Sequence, residues 1–280
     1  MTQKTIVLTG ASDGIGAAAA EQLAARGHRL LLVGRSPSKT SAVAASLGAE
    51  HLVADFARLD EVRELASRIR DLTDHVDVLA NNAGGIFGRR ELTVDGVETT
   101  WQVNHLAPFL LTHLLLDRLR AGEGTVVNTS SSAPRRFSTL SVDELRDPPT
   151  YRPSRAYGDA KLANILFTRG LEARYSSDGI SSVAFDPGNV RTNFASATTS
   201  IVRLVYRTPL SRLVLIPPEK GGANLAFFVE GSAGSTWLPG RFYTQTRLAT
   251  PAETNPRIFD DALVDEVWSR SSELTGLPAA

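Results

Sequence analysis

The stretch Thr9-Gly10-Ala11-Ser12-Asp13-Gly14-Ile15-Gly16 decides how this 280-residue chain is read. It follows an apolar run over 5–8 and leads into an alanine-rich helical segment over 16–26. Glycines at such a junction permit a sharp turn and close packing of helix on strand. They also let backbone N–H groups approach a phosphate, to which the helix N-terminus adds partial positive charge. A glycine cluster alone also reads as a plain turn. Between a first strand and a first helix, it reads as a pyrophosphate cradle formed by Gly10, Ser12, Asp13, Gly14, Ile15 and Gly16. The spacing is GxxxGxG, distinct from the commoner GxGxxG.

Outward from this stretch, short apolar runs alternate with longer helical ones. The runs over 5–8, 29–33, 52–54, 76–79, 125–129 and 181–185 are apolar nearly throughout, as in strands covered on both faces. Helical segments such as 16–26 and 61–72 lie between them. This alternation predicts an α/β fold, a doubly wound parallel sheet with right-handed crossovers, and a short strand over 241–243 at its far edge. No repeat or linker divides the chain, so one domain over 1–280 is expected. Two segments break the rhythm: 133–155, which is loop-like and holds Pro134, Pro148, Pro149 and Pro153, and 193–220, apolar and basic together. Insertions of this length in a compact fold often act as lids or binding loops.

Composition removes several classes. Lys+Arg and Asp+Glu both number 30, so no basic excess points to nucleic acid. The absence of cysteine excludes disulfides, thiolate catalysis and cysteine-ligated zinc. The five histidines, His28, His51, His75, His105 and His113, lack the close pairing of a zinc site, and no metal is expected. The N-terminus enters a strand almost at once without a signal pattern, and no window is apolar enough to span a bilayer, which predicts a cytoplasmic protein.

The run over 29–33 ends in Gly34-Arg35-Ser36. In a dinucleotide fold an acid here would bind the ribose 2′-hydroxyl of NAD, whereas arginine suits the 2′-phosphate of NADP. Arg35 therefore favours NADP(H), although Asp13 offers no reinforcing cation. Tyr157-Gly158-Asp159-Ala160-Lys161 puts a phenol and an ammonium on one helix face. A free tyrosine titrates near about 10, and a neighbouring cation lowers that value by roughly 1–3. Taken singly, the pair could be a surface coincidence. Upstream, Thr125-Val126-Val127-Asn128-Thr129-Ser130-Ser131-Ser132 is a buried strand ending in hydroxyls, and one of them could hydrogen-bond a substrate oxygen.

The glycine stretch, Asn81-Asn82-Ala83-Gly84, Asn104, the serine run, Tyr157/Lys161 and Pro187-Gly188-Asn189-Val190-Arg191-Thr192 occur in the order found in the short-chain dehydrogenase/reductase family. The resemblance covers nearly the whole chain. AYGDAKLANILFTRGLEARY and the C-terminal GRFYTQTRLATPAETNPRIFDDALVDEVW look like its retinol-dehydrogenase-like branch. The resemblance implies a single Rossmann domain with a substrate lid near 193–220. It makes Tyr157 the general acid/base and Lys161 the group that binds the nicotinamide ribose and depresses the tyrosine. It implies Ser131 as the catalytic serine, with Ser130 as the alternative, and Asn104 as the residue that positions a relay water. Asn81, Ala83 and Gly84 would lie by the adenosine ribose and Asp55 by the adenine. Pro187, Gly188, Val190 and Thr192 would flank the nicotinamide.

The segment over 193–220 carries Ile201, Leu204, Val205, Leu210 and Leu213, a composition that suits a lipophilic substrate or simply completes the core. The expected activity is an NADP(H)-linked interconversion of carbonyl and alcohol on a small lipophilic molecule. The alternative is a non-enzymatic NADP(H)-binding sensor or scaffold. The residues after Thr192 are too few for the substrate domain of a sugar-nucleotide epimerase. The family often pairs through the helices bearing Asn104 and Tyr157, so a homodimer is an expectation as well.

Overall fold

The computed structural model describes residues 2–190 and 216–278. Its centre is an eight-stranded sheet in the order β3-β2-β1-β4-β5-β6-β7-β8. The strands are β1 (Thr5–Thr9), β2 (Arg29–Gly34), β3 (Glu50–Val53), β4 (Val78–Asn81), β5 (Thr125–Thr129), β6 (Ser181–Asp186), β7 (Phe242–Thr244) and β8 (Arg247–Leu248). All neighbours run parallel except β7 and β8, which form an antiparallel pair at the edge. β1 is buried at every position because helices cover both faces of the sheet.

The helices are α1 (Gly14–Ala25), α2 (Pro37–Leu47), α3 (Leu59–Leu72), α4 (Thr99–Trp101), α5 (Ala107–Leu114), α6 (Leu116–Ala121), α7 (Ala133–Phe137), α8 (Pro153–Tyr175), α9 (Pro218–Glu230) and α10 (Asp261–Thr275). Small residues decide how closely α1 packs. A methyl added at Gly222 of α9 would sit 2.7 Å from the Ala19 nitrogen, so only glycine admits this approach. On α3, Val62, Leu65, Ala66 and Ile69 repeat at helical spacing and are buried, while the charged face stays in water. Ser36 caps α2, Pro37 opens it, and Gly48 ends it at φ 62°, in the left-handed region that glycine adopts without strain. No described helix is long and apolar enough to cross a membrane.

The structure moves several predicted boundaries. β3 begins at Glu50, two residues before the apolar run, because it is paired on only one side and tolerates polar side chains. β4 spans Val78–Asn81, not 76–79, since it carries on into an asparagine whose side chain is buried. β7 lies at Phe242–Thr244, and β8 was not anticipated. The 133–155 segment is not all loop: it contains α7 and a 3-10 turn at Val142–Glu144. Glu144, at the end of that turn, pairs with Arg155 at 2.7 Å. Most of 193–220 lies outside the described residues. Its described end, Ile216, bridges Val190.

Candidate active site

In a doubly wound sheet, ligands bind at the carboxyl edge where the strand order reverses, here between β1 and β4. The glycine stretch leaves β1 at that point. Gly10 and Gly14 adopt φ of 68° and 54°, and a methyl at Gly16 would overlap the Gly10 carbonyl. Gly10 also abuts the next loop: an added methyl there would lie 2.9 Å from Ala83 Cα. Thr9 Oγ1 stitches the two loops, accepting from the Asn82 and Ala83 nitrogens at 3.0 Å each. Asn82 Nδ2 donates to the Thr9 carbonyl at 3.0 Å. The result is a closely packed glycine turn ahead of α1, whose first N–H groups have no backbone partner within the helix. Ile15 closes its far side against Gly221, whose added methyl would lie 3.0 Å away.

Arg35 is exposed at the end of β2, and Ser12 lies beside Gly34 there. Asp13 caps α1 by accepting from the Gly14 nitrogen at 2.8 Å, and its other oxygen lies 3.2 Å from Lys39 Nζ. Lys39 is a cation on the first turn of α2 that sequence reasoning missed; Arg35 at i−4 and the Ser36-Pro37 helix start were the available signals. Asp55 follows β3, its Oδ1 accepting from Ala57 at 3.0 Å. The Asn81 side chain points into the protein, where Nδ2 donates to Thr112 Oγ1 at 3.1 Å and to Asn128 Oδ1 at 3.0 Å. Any contact from Asn81 to a ligand would have to come from its backbone.

Lys161 is the most unusual group at this edge. It is 2% exposed, and its ammonium donates to the Thr129 carbonyl at 2.9 Å. Burial pulls its pKa down from 10.5 to about 7. Tyr157, one turn earlier on α8 and 8% exposed, has its ring centroid 5.7 Å from Lys161 Nζ. Gly84 completes this corner: an added methyl would meet Asn104 Oδ1 at 2.5 Å and Lys161 Nζ at 3.3 Å. The Ala83-Gly84 loop that packs on Gly10 therefore also borders Lys161.

The serine run resolves into different environments. Ser130 is 1% exposed and donates to the Lys161 carbonyl at 2.7 Å, so its hydroxyl ties β5 to α8. Ser131 is half-buried, with Oγ accepting from the Ala133 nitrogen at 3.1 Å, which leaves its proton to give elsewhere. Asn104 sits in a π-turn, Gln102–Leu106, between α4 and α5. Its amide nitrogen donates to the Gly85 and Thr100 carbonyls at 2.8 Å, and its Oδ1 accepts from Gly85 N at 3.1 Å. Beyond β6, Gly188 turns at φ 89° and Asp186 Oδ1 accepts its N–H at 3.0 Å. The Pro187 carbonyl is held by Asn224 at 3.1 Å, and Val190 packs against Gly221. Thr192 lies outside the described residues.

Residues 4–143 match the family model described as short chain dehydrogenase. DnrU of Streptomyces sp. (strain C5), whose name proposes a daunorubicin C-13 ketoreductase, is 35% identical across 98% of this chain and 93% of its own. Human retinol dehydrogenase 13 is 32% identical over 99% of this chain and 86% of its own. Among solved structures, an uncharacterised Mycobacterium paratuberculosis protein superposes with a TM-score of 0.77 at 30% identity, covering 100% of this chain and 96% of that one. The RhlG/NADP complex from Pseudomonas aeruginosa shares the fold, with a TM-score of 0.70 at 23% identity over 87% of this chain and 95% of that one. The chain thus belongs to the short-chain dehydrogenase/reductase family of oxidoreductases, within its retinol-dehydrogenase-like branch.

Proposed function

We propose that the protein is an NADP(H)-dependent oxidoreductase that interconverts a carbonyl and an alcohol on a small lipophilic substrate. The observation that carries this reading is Lys161, a lysine sealed from water one helical turn from a phenol at the ligand-binding edge. Burying an ammonium is costly and is retained where it has work to do. The glycine turn suits a dinucleotide: glycine is required at Gly10 and Gly16 by close contacts, and the partial positive charge at the N-terminus of α1 suits a pyrophosphate. Gly84 lets the loop after β4 pass directly against Asn104 and Lys161, where any larger residue would push them away. Arg35 and Lys39 are two cations on the side where an adenosine 2′-phosphate would lie, which supports NADP(H) over NAD(H).

When bound, the nicotinamide supplies the donor or acceptor of hydride. In reduction, Tyr157 gives its phenolic proton to the substrate oxygen; in oxidation, its phenolate takes the proton back. Ser131 donates a hydrogen bond to that same oxygen as charge develops on it. Lys161 holds ribose hydroxyls and, when charged, favours the phenolate. The relatives' names, a daunorubicin C-13 ketoreductase and a retinol dehydrogenase, pair a ketone with an alcohol on large apolar molecules, which supports a lipophilic substrate. The test is a cofactor-oxidation screen across aldehydes, ketones, steroids and retinoids with NADPH and NADH. NADPH-linked turnover of one of these substrates is expected. Tight NADPH binding with no turnover on any of them would favour the sensor instead.

A further inference from the structure

One buried polar chain beneath the site has no part in the scheme above. In an α-helix the Asn104 carbonyl would accept from the amide of residue 108, but that residue is Pro108, which has no N–H. Asn164, one turn beyond Lys161 on α8, supplies a side-chain donor instead: its Nδ2 donates to the Asn104 carbonyl at 3.0 Å. The same nitrogen lies 3.5 Å from the Thr129 carbonyl, the group that accepts from Lys161. With both carbonyls facing the amide nitrogen, the orientation of Asn164 is fixed and Oδ1 must face the other way. There it meets His105 Nδ1 at 3.1 Å, and His105 Nε2 lies 2.8 Å from Ser271 Oγ on α10.

The polarity of this chain can be worked out. An amide oxygen only accepts, so His105 must carry its proton on Nδ1. A fully buried imidazole whose pKa is pushed down to about 4 is neutral, so Nε2 is then a bare acceptor. Ser271 Oγ lies 2.8 Å from this Nε2 and also donates to the Val267 carbonyl at 2.7 Å, so its one proton is shared between the two acceptors. The opposite tautomer would set the Nδ1 lone pair against Asn164 Oδ1. Donation thus runs in one direction, from Ser271 through His105 and Asn164 to the Asn104 carbonyl.

We infer that Asn164, held in orientation by His105 and Ser271, is a positioning residue that fixes the Asn104 backbone and the Thr129–Lys161 contact beneath Tyr157. It touches neither substrate nor cofactor; it acts through the π-turn and the end of β5. The inference deepens the functional reading above and rests on it for its catalytic consequence.

Two measurements test it on the full-length chain. Ring-nitrogen NMR of histidine-labelled protein should show His105 as the neutral Nδ1–H tautomer from pH 5.5 to 8. Its signals are assigned by their loss in His105→Gln or, should that variant not fold, by proximity to the Trp101 ring, whose centroid is 4.6 Å away. An Nε2–H tautomer overturns the inference, and this reading needs no substrate. Asn164→Asp keeps the size and the acceptor for His105 but removes the donor to both carbonyls. It should lower kcat about tenfold or more, since small misplacements at a reacting centre have effects of that order. KM and the NADPH dissociation constant should stay within about threefold. Unchanged kcat in the folded variant, or losses confined to thermal stability, would overturn the positioning role. If the parent protein turns over no carbonyl compound, the functional reading fails and the ring-nitrogen signals decide the inference alone.

Discussion

Lys161→Met offers a quantitative test of the buried cation. In the folded protein Lys161 titrates near about 7, against 10.5 for an ordinary lysine. Between those values the unfolded chain binds a proton that the folded one does not, so stability rises as pH increases through the window. Below pH 7 both states are protonated and the folded state bears the full desolvation penalty. Each pH unit of the window corresponds to about 1.4 kcal/mol, so the penalty is on the order of 5 kcal/mol at pH 6 and vanishes near pH 10.5. Methionine removes it at the loss of one hydrogen bond to the Thr129 carbonyl, about 1 kcal/mol. Urea denaturation of the cofactor-free protein at pH 6, 7.5 and 9 should find Lys161→Met more stable than the parent by several kcal/mol at pH 6. The gap should narrow steadily toward pH 9. A gap that does not change with pH would refute the claim that Lys161 is a desolvated, titrating group. Such a gain in stability from deleting Lys161 is the expected signature of a buried cation held against its own folding preference.

Four further outcomes follow from the same geometry. Gly16→Ala puts a methyl against the Gly10 carbonyl and 2.9 Å from Asn82 Nδ2, and fluorescence titration should find NADPH binding weakened about tenfold or more. Arg35→Ala and Lys39→Ala should each weaken NADPH about tenfold while leaving NADH nearly unchanged, as loss of one charged hydrogen bond to a phosphate predicts; equal losses for both cofactors would remove the basis for the NADP(H) preference. Ser130→Ala strips the Lys161 carbonyl of a buried donor and should lower Tm by a few degrees. Ser131→Ala should leave Tm unchanged yet cut turnover by about tenfold or more, and the reverse pattern would exchange the two serines.

How much of this was legible in the sequence depended on whether a signal was local. β1, β5 and β6 declared themselves through short apolar centres, Ile6-Val7-Leu8, Val126-Val127 and Val183-Ala184-Phe185, as expected of strands covered on both faces. β3 and β8 sit toward the sheet's edges, where polar residues are tolerated and the apolar pattern fades. Asn81 was expected beside the adenosine ribose, and only the fold supplies Thr112 and Asn128 as the partners of its side chain. The Tyr157–Lys161 pair was visible because helical spacing alone brings i and i+4 together. What those residues lean on was not. The Thr129 carbonyl and the His105–Asn164 contact join segments distant in sequence, and no local pattern encodes them. Likewise, three adjacent serines carry no internal sign of which hydroxyl is tied to α8 and which is not.

The most direct test of the account compares the parent protein with Tyr157→Phe, following NADPH oxidation by the best carbonyl substrate alongside NADPH binding. The variant loses one oxygen atom and no packing volume to speak of, so the fold and the cofactor groove should be preserved. Turnover should fall by roughly 10²–10⁴, the usual range for losing a general acid, while the NADPH dissociation constant stays within about twofold. A phenylalanine variant that still reduces the substrate at a rate near the parent's would contradict the assignment of Tyr157 as proton donor, and with it the mechanism proposed here.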